Sequence, residues 1–157
     1  MLANAGMRSI YFVQRSVSSM SVPTTSASKT RRKKKPLIYL VDDQPMLLDL
    51  AEMSLLEGDY TLRKFGNPEA AMKSFAKART KPDLLISDYA MGKMNGLELM
   101  ERCKELHPPL KTILISGTAG AEIVLGALIK VDRFLGKPYQ PANLSELVRR
   151  VLNESPD

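Results

Sequence analysis

Short apolar runs alternate with stretches of helical periodicity between residues 37 and 153. Runs of this length predict strands, and apolar positions that recur every three or four residues predict helices. The five predicted strands are Leu37–Val41, Tyr60–Phe65, Leu84–Ser87, Ile113–Ile115 and a short segment centred on Phe134. A helix is predicted after each strand. Such strict alternation predicts an α/β fold, a doubly wound parallel sheet of five strands with five flanking helices.

The helices are indicated by apolar spacing and by the residues at their ends. The first helix is closed by Gly58 and carries apolar residues at helical spacing, namely Met46, Leu47, Leu50, Met53 and Leu56. Asn67 marks the start of the second helix, because Asn is a favoured N-cap. The other helices are predicted near 97–106, over 121–130 and after Pro141.

Polar residues follow four of the predicted strands where the strands end. Asp42 and Asp43 follow the first strand, Asp88 the third, Ser116 the fourth and Lys137 the fifth. The carboxyl ends of parallel strands lie at one edge of the sheet, where ligands of such sheets bind. We therefore expect three acids, a hydroxyl and a cation to converge there. This combination suits Mg²⁺ and a phosphoryl group.

Each of these residue types has a chemical task at such an edge. Three neighbouring carboxylates repel one another unless they share a cation, and Mg²⁺ prefers hard oxygen ligands. Asp88 stands alone after the central strand, and a carboxylate can attack phosphorus to form an acyl phosphate. Lys137 and Ser116 can stabilise the charge on the phosphoryl oxygens in the transition state. Taken alone, the Asp42–Asp43 pair is more typical of a helix cap than of a metal site, and the other residues of the edge reverse this.

The basic charge of the chain is concentrated before residue 36. The net charge is +6, but residues 1–35 carry eight Lys and Arg and no acid, which leaves 15 basic and 17 acidic residues in 36–157. A tail of this composition buries too little apolar surface to fold. We therefore expect a disordered basic leader over 1–35 and a folded domain over 36–157. An organellar transit peptide, or a true start at Met7 or Met20, are the alternatives for the leader.

Other features of the sequence exclude several classes of protein. Cys103 is the only cysteine, so an internal disulfide is excluded and a reducing compartment is favoured. His107 is the only histidine, which excludes a zinc site built from several histidines. No stretch approaches the roughly 20 apolar residues of a membrane helix. These observations favour a cytoplasmic protein without a membrane span.

The segments around the strand ends resemble the receiver domain of two-component response regulators, of the stand-alone, chemotaxis-regulator type. The resemblance covers essentially all of 37–153. It is carried by Val41-Asp42-Asp43, Ile86–Met91 with Gly96, Ile115-Ser116-Gly117 and Phe134–Pro138. It implies the flavodoxin-like strand order 2-1-3-4-5. It also implies that a sensor histidine kinase or a histidine phosphotransfer protein donates the phosphoryl group.

The resemblance implies a role for each residue of the acidic edge. Asp88 is implied as the phosphoacceptor, and Lys137 as the cation that pairs with the phosphoryl group. Mg²⁺ is implied as the cofactor, bound by Asp43 directly, by Asp42 largely through water, and by Asp88 and the backbone carbonyl of Ala90. The chain is then not a turnover enzyme, because it catalyses only its own phosphorylation and a slow dephosphorylation.

The resemblance also implies how a signal leaves the domain. Ser116 is implied as the switch hydroxyl and Phe134 as the switch aromatic residue. A downstream protein would bind the face formed by residues 121–152. Because the predicted fold occupies nearly everything after residue 36, we expect no DNA-binding domain in this chain.

Two departures from the family pattern concern the loops of the site. Gly92 stands where the family usually has Pro, so we expect a looser loop after Asp88. Ala90 and Gly117 are small, so the site is open and the dephosphorylation rate is not fixed by the sequence.

Two other functions compete with a receiver. A phosphatase of the haloacid dehalogenase type also forms an aspartyl phosphate, but it needs a second Asp two residues after the nucleophile, and Gln44 and Pro45 follow Asp42 and Asp43 here. A scaffold tethered to nucleic acid or membrane through the basic run Arg31–Lys35 is the second alternative.

Overall fold

The computed structural model describes residues 34–117 and 131–154. Within them, each strand except β4 is followed by a helix, as the sequence predicts. The strands are β1 (Leu37–Val41), β2 (Thr61–Phe65), β3 (Leu84–Asp88), β4 (Lys111–Ser116) and β5 (Arg133–Gly136). The helices are α1 (Pro45–Leu55), α2 (Pro68–Lys77), α3 (Gly96–Leu106) and α4 (Pro141–Asn153).

All five strands are parallel and lie in the order β2-β1-β3-β4-β5. This confirms the predicted sheet and its strand order. The described residues contain four of the five predicted helices, and the helix predicted over 121–130 lies outside them. None of the described helices is both long and apolar enough to span a bilayer.

The core forms two layers, one on each face of the sheet. Successive residues of a strand point to opposite faces. Tyr39 of β1 therefore packs in one cluster with Phe75 of α2, while Leu40 packs in the other with residues of α1 and α4. Every residue of the central strand β3 is buried, as expected for a parallel strand with helices on both sides. Cys103 is buried on α3, and burial raises the pKa of its thiol to about 12, so it behaves as a small apolar residue.

Helix α1 packs on a face that the sequence pattern does not single out. Leu48, Ala51 and Leu55 are its buried residues. Met46 and Leu56, which belong to the pattern that predicts the helix, are 85% and 68% exposed. The prediction of a helix here is confirmed, but those residues do not form its core face. The helix carries apolar residues on two sides, and periodicity alone does not say which side meets the sheet.

Candidate functional site

The carboxyl ends of the strands place the predicted site residues at one edge of the sheet. Asp42 follows β1, Asp88 ends β3, Ser116 ends β4 and Lys137 follows β5. The first three of these residues are buried although their side chains are polar. Burial of polar groups is costly unless they are paired, so their partners define the site.

Lys137 is the partner that joins the two buried carboxylates. Its Nζ lies 2.6 Å from Oδ1 of Asp88 and 3.6 Å from Oδ2 of Asp42. The backbone N–H of Lys137 donates to the carbonyl of Ser116 at 2.7 Å, which ties the turn after β5 to the end of β4. The Lys137–Pro138 peptide bond is cis. The two distances show that the side chain of Lys137 points into the acidic edge, as predicted.

The remaining carboxylate oxygens accept backbone hydrogen bonds. The N–H of Ala90 donates to Oδ2 of Asp88 at 2.8 Å, and the N–H of Gln44 donates to Oδ1 of Asp42 at 2.8 Å. Each hydrogen bond closes a turn directly after its strand, so the backbone folds back over the end of that strand. Both carboxylates are thus held in fixed orientations, with one oxygen directed at Lys137.

Burial and neighbouring charges shift the pKa values of Asp42 and Lys137 at the site. Burial raises the pKa of Asp42, and the nearby charges of Asp88 and Asp43 add to the rise against the opposing effects of the Gln44 N–H and Lys137. Burial by itself lowers the pKa of Lys137, but its hydrogen bond to Asp88 and the charges of Asp88 and Asp42 outweigh this and leave the pKa raised. Lys137 is therefore a fixed positive charge at neutral pH.

Asp43 differs from its neighbour because its side chain is exposed. Among residues 34–117 and 131–154, no group of three or more acids, histidines or cysteines is already gathered as a metal site. The oxygen donors still suit a hard cation, because two carboxylates already converge on one positively charged atom. The donor chemistry therefore fits Mg²⁺, with Asp43 free to turn toward it.

The loop between β3 and α3 is shaped by two glycines. A Cβ on Gly96 would collide with the carbonyl oxygen of Asp88, so the start of α3 can approach the strand end only with glycine there. Gly92 has a φ of 57°, a conformation that proline cannot adopt because its ring holds φ near −65°. A proline at position 92, the family's usual residue, would therefore not fit the backbone of this loop. Asn95 and Glu98 cap α3 reciprocally, a capping box that the sequence analysis missed.

Phe134 and Tyr139 lie on either side of Lys137 in the chain. Phe134 is partly buried against the core cluster of α2 and α3. Tyr139 packs against the opposite cluster, and it lines a small space together with Asp42 and Asp88. The sequence analysis missed Tyr139, and its only signal is an aromatic residue two positions after the lysine. The segment 118–130, which links Ser116 to β5 and includes part of the predicted output face, lies outside the described residues.

Comparisons with known proteins agree on one family. The profile of the response regulator receiver domain matches residues 38–149. The chain is 30% identical over 123 residues to the alkaline phosphatase synthesis transcriptional regulatory protein PhoP of Bacillus subtilis, covering 75% of this chain and 49% of that protein. This chain thus spans about half the length of that relative.

Solved structures give the same result. The receiver domain of NtrX from Brucella abortus is 26% identical with a TM-score of 0.68, and the match covers 75% of this chain and 99% of that one. A CheY-like receiver domain protein from Methanospirillum hungatei shares the fold with a TM-score of 0.67 at 24% identity, over 76% of this chain and 95% of that one.

Proposed function

This chain belongs to the response regulator receiver domain family, and we propose that it accepts a phosphoryl group on the carboxylate of Asp88. The observation that carries the proposal is the ion pair between the buried Asp88 and the partly buried Lys137 at the carboxyl edge of the sheet. A carboxylate held beside a fixed ammonium has both the nucleophile and the charge that phosphoryl transfer requires.

In the proposed transfer, an oxygen of Asp88 forms a bond to phosphorus while the bond from phosphorus to the donor's imidazole nitrogen breaks. That nitrogen keeps the electron pair of the broken bond. The ammonium of Lys137 then stabilises the negative charge of the phosphoryl oxygens, and the hydroxyl of Ser116 donates a hydrogen bond to one of them. This role for Ser116 is supported by its position at the end of the strand next to β3.

Mg²⁺ is the cofactor that we propose for this site. Asp43 and Asp88 would bind it with the backbone carbonyl of Ala90, and Asp42 would act largely through water. When bound, the ion supplies positive charge for the phosphoryl oxygens. The convergence of Asp42 and Asp88 on one ammonium supports a site that favours a cation.

The phosphoryl donor is proposed to be a histidine on another protein, either a sensor histidine kinase or a histidine phosphotransfer protein. The single histidine of the chain, His107, follows α3 and precedes β4. It therefore lies near the amino end of β4, whereas Asp88 lies at the carboxyl edge of the sheet. An internal transfer from His107 to Asp88 is not compatible with this arrangement.

The exposed apolar side of α1 is the surface that we propose for the donor. Met46 is 85% exposed and lies three residues from Asp43. Leu47 and Leu50 line a groove of about 340 Å³ with Lys137 and Pro138. A donor that brings its histidine to Asp88 must cover this groove, because the groove adjoins the acidic edge.

The proposed output is a change of the face formed by residues 121–152, of which β5 and α4 are described. Once Ser116 turns toward the phosphoryl group, Phe134 would rotate into the space behind β4. A downstream protein would then bind the altered face. The buried, unreactive Cys103 is compatible with the cytoplasm that we propose as the compartment.

The central test is intact-mass analysis after incubation with acetyl phosphate and Mg²⁺. We expect one labile phosphoryl adduct on the wild type and none on Asp88→Asn, and we expect chelation of Mg²⁺ to prevent the adduct. Asp59→Asn is the matched control, because Asp59 is an exposed acid that lies before β2, at the other end of the sheet. An adduct of the same yield on Asp88→Asn would refute the assignment.

The donor surface is tested with a panel of purified histidine kinases, each autophosphorylated with radiolabelled ATP. Met46→Glu should slow transfer from the kinase that reacts fastest, while labelling by acetyl phosphate stays unchanged. Equal rates of transfer to the wild type and the variant would mean that the donor binds another surface.

A further inference from the structure

Tyr139 lies between two spaces that adjoin the acidic edge. The inner space has a volume of about 10 Å³, and Asp42, Asp88 and Leu47 are among the residues that line it with Tyr139. The outer groove, of about 340 Å³, is lined by Leu47, Leu50, Lys137, Pro138 and Tyr139. Among the described residues, only Tyr139 and Leu47 line both spaces. The tyrosine ring is therefore part of the wall between the carboxylates and the open groove.

The ring is held in this place by packing. Tyr139 is partly buried against the hydrophobic cluster that α1 and α4 form with the sheet. Its hydroxyl makes no hydrogen bond to any other described residue. The contribution of Tyr139 to the site therefore comes from the ring.

The ring shares its surroundings with the ion pair. Burial raises the pKa of Tyr139, and the charges of Lys137, Asp42 and Asp88 all act on it. The inner space has room for about one water molecule, and Asp42 and Asp88 are themselves buried, so little bulk solvent reaches the carboxylates on this side. Removing the ring would join the inner space to the groove and admit water, which weakens the attraction between Lys137 and the carboxylates.

We propose that Tyr139 is a positioning residue for Lys137. Its ring closes the inner space and braces the turn after β5 against α1, so that the ammonium stays on Asp88. Lys137 is two residues away along the chain, so a change in this turn moves it directly. The consequence for phosphoryl transfer rests on the function proposed above, whereas the pairing of Lys137 with Asp88 does not.

The pairing is tested by NMR of the full chain labelled with ¹⁵N, using the side-chain ammonium signal of Lys137, assigned by its disappearance in Lys137→Gln. An ammonium group that is paired and shielded exchanges its protons with water slowly. Its signal also has a chemical shift different from those of exposed lysines. Tyr139→Phe should keep this signal, because the hydroxyl has no role. Tyr139→Ala should move it to the position of exposed lysines. Tyr60→Ala is the matched control, because Tyr60 packs against the same cluster but lies before β2, at the other end of the sheet.

The kinetic test is a double-mutant cycle on labelling by acetyl phosphate. Tyr139→Ala should slow labelling by tenfold to about a hundredfold, the scale expected when a catalytic group is misplaced. In the Lys137→Gln background the same change should have no further effect, because its action passes through Lys137.

Each outcome decides between the proposal and a merely structural role. An unchanged Lys137 signal in Tyr139→Ala, or an equal change in Tyr60→Ala, would overturn it. If Tyr139→Ala does not fold, Tyr139→Leu replaces it, and a Lys137 signal retained there would show that the ring is not required. If the wild type is not labelled but the signals behave as expected, the proposed function fails and the positioning role stands.

Discussion

Asp42 and Asp43 are neighbours in the sequence but lie in different environments. Asp42 is buried, with one oxygen bonded to the Gln44 N–H and the other near Lys137. Asp43 is exposed. Its carboxylate can therefore turn toward a cation without breaking an internal contact.

This difference predicts unequal effects on Mg²⁺ affinity. Asp43→Ala should weaken Mg²⁺ binding more than Asp42→Ala, because a directly coordinating carboxylate contributes more than one that acts through water. The measurement is a titration of Mg²⁺ into the wild type and both variants. Binding is detected by calorimetry, because the chain has no Trp whose fluorescence could report it. Equal losses, or a greater loss for Asp42→Ala, would contradict this arrangement of ligands.

Asp132 is a half-buried acid whose partners come from distant parts of the chain. Its Oδ2 accepts hydrogen bonds from Nζ of Lys104 at 2.8 Å and from the N–H and hydroxyl of Thr112 at 2.8 and 2.7 Å. These contacts join the residue before β5 to β4 and α3. Sequence analysis missed this network, because nothing in the sequence near any of the three residues indicates the other two.

The Asp132 network predicts a pH-dependent loss of stability in a variant. Burial by itself raises the pKa of Asp132, but the hydrogen bonds from Lys104 and Thr112 outweigh it and leave the pKa lowered. A carboxylate with a lower pKa in the folded state stabilises the fold above its ordinary pKa, and this contribution is lost as the pH falls through the folded value. Asp132→Asn should therefore lower the free energy of unfolding by about 1–2 kcal/mol at pH 7.

The same comparison in acid completes the test. As the pH falls from 7 to below about 4, the ordinary pKa of an aspartate, the difference in free energy of unfolding between the wild type and Asp132→Asn, measured by urea unfolding, should narrow, because the wild-type carboxylate becomes protonated. A gap of constant size across this range would show that the charge of Asp132 contributes nothing.

At the scale of the element, strands were easier to predict than helix faces. β1 runs over the residues predicted from the sequence, and β2 and β3 differ from the predictions by one residue at one end. A short run that is apolar on both faces is typical of a buried strand in a sheet with helices on both sides, so its position in the fold is easily predicted. The site followed from the strands, because their carboxyl ends position the acids, Ser116 and Lys137. The packing face of α1 did not follow, because its sequence offers two apolar sides.

The orientation of α1 predicts unequal losses of stability when two adjacent leucines are substituted. Leu55 is 1% exposed in the core beneath the helix, and Leu56 is 68% exposed. Leu55→Ala should lower the free energy of unfolding by about 2–5 kcal/mol, whereas Leu56→Ala should change it by less than about 0.5 kcal/mol. Urea unfolding of both variants checks this. Similar losses would mean that α1 is rotated relative to the sheet.

At the scale of the whole molecule, the charge of the chain is divided between the leader and the domain. Residues 1–35 carry eight basic residues and no acid, whereas 36–157 carry two more acids than bases. The first described contact of a leader residue is the ion pair of Lys35 with Asp59, and both side chains are largely exposed. Exposed pairs of this kind contribute only about 0–1 kcal/mol.

Removal of residues 1–35 should therefore leave the domain folded and able to be labelled at Asp88. All five strands and every proposed site residue lie after Pro36. The loss of the Lys35–Asp59 pair is the only cost visible among the described residues, so Lys35→Ala in the full chain is the matched control. Both proteins should melt within a few degrees of the wild type and accept the acetyl phosphate label at the same rate. A melting temperature that falls by more than about 5 °C in the truncated chain alone, which corresponds to roughly 1 kcal/mol, would show that the leader contributes to the fold.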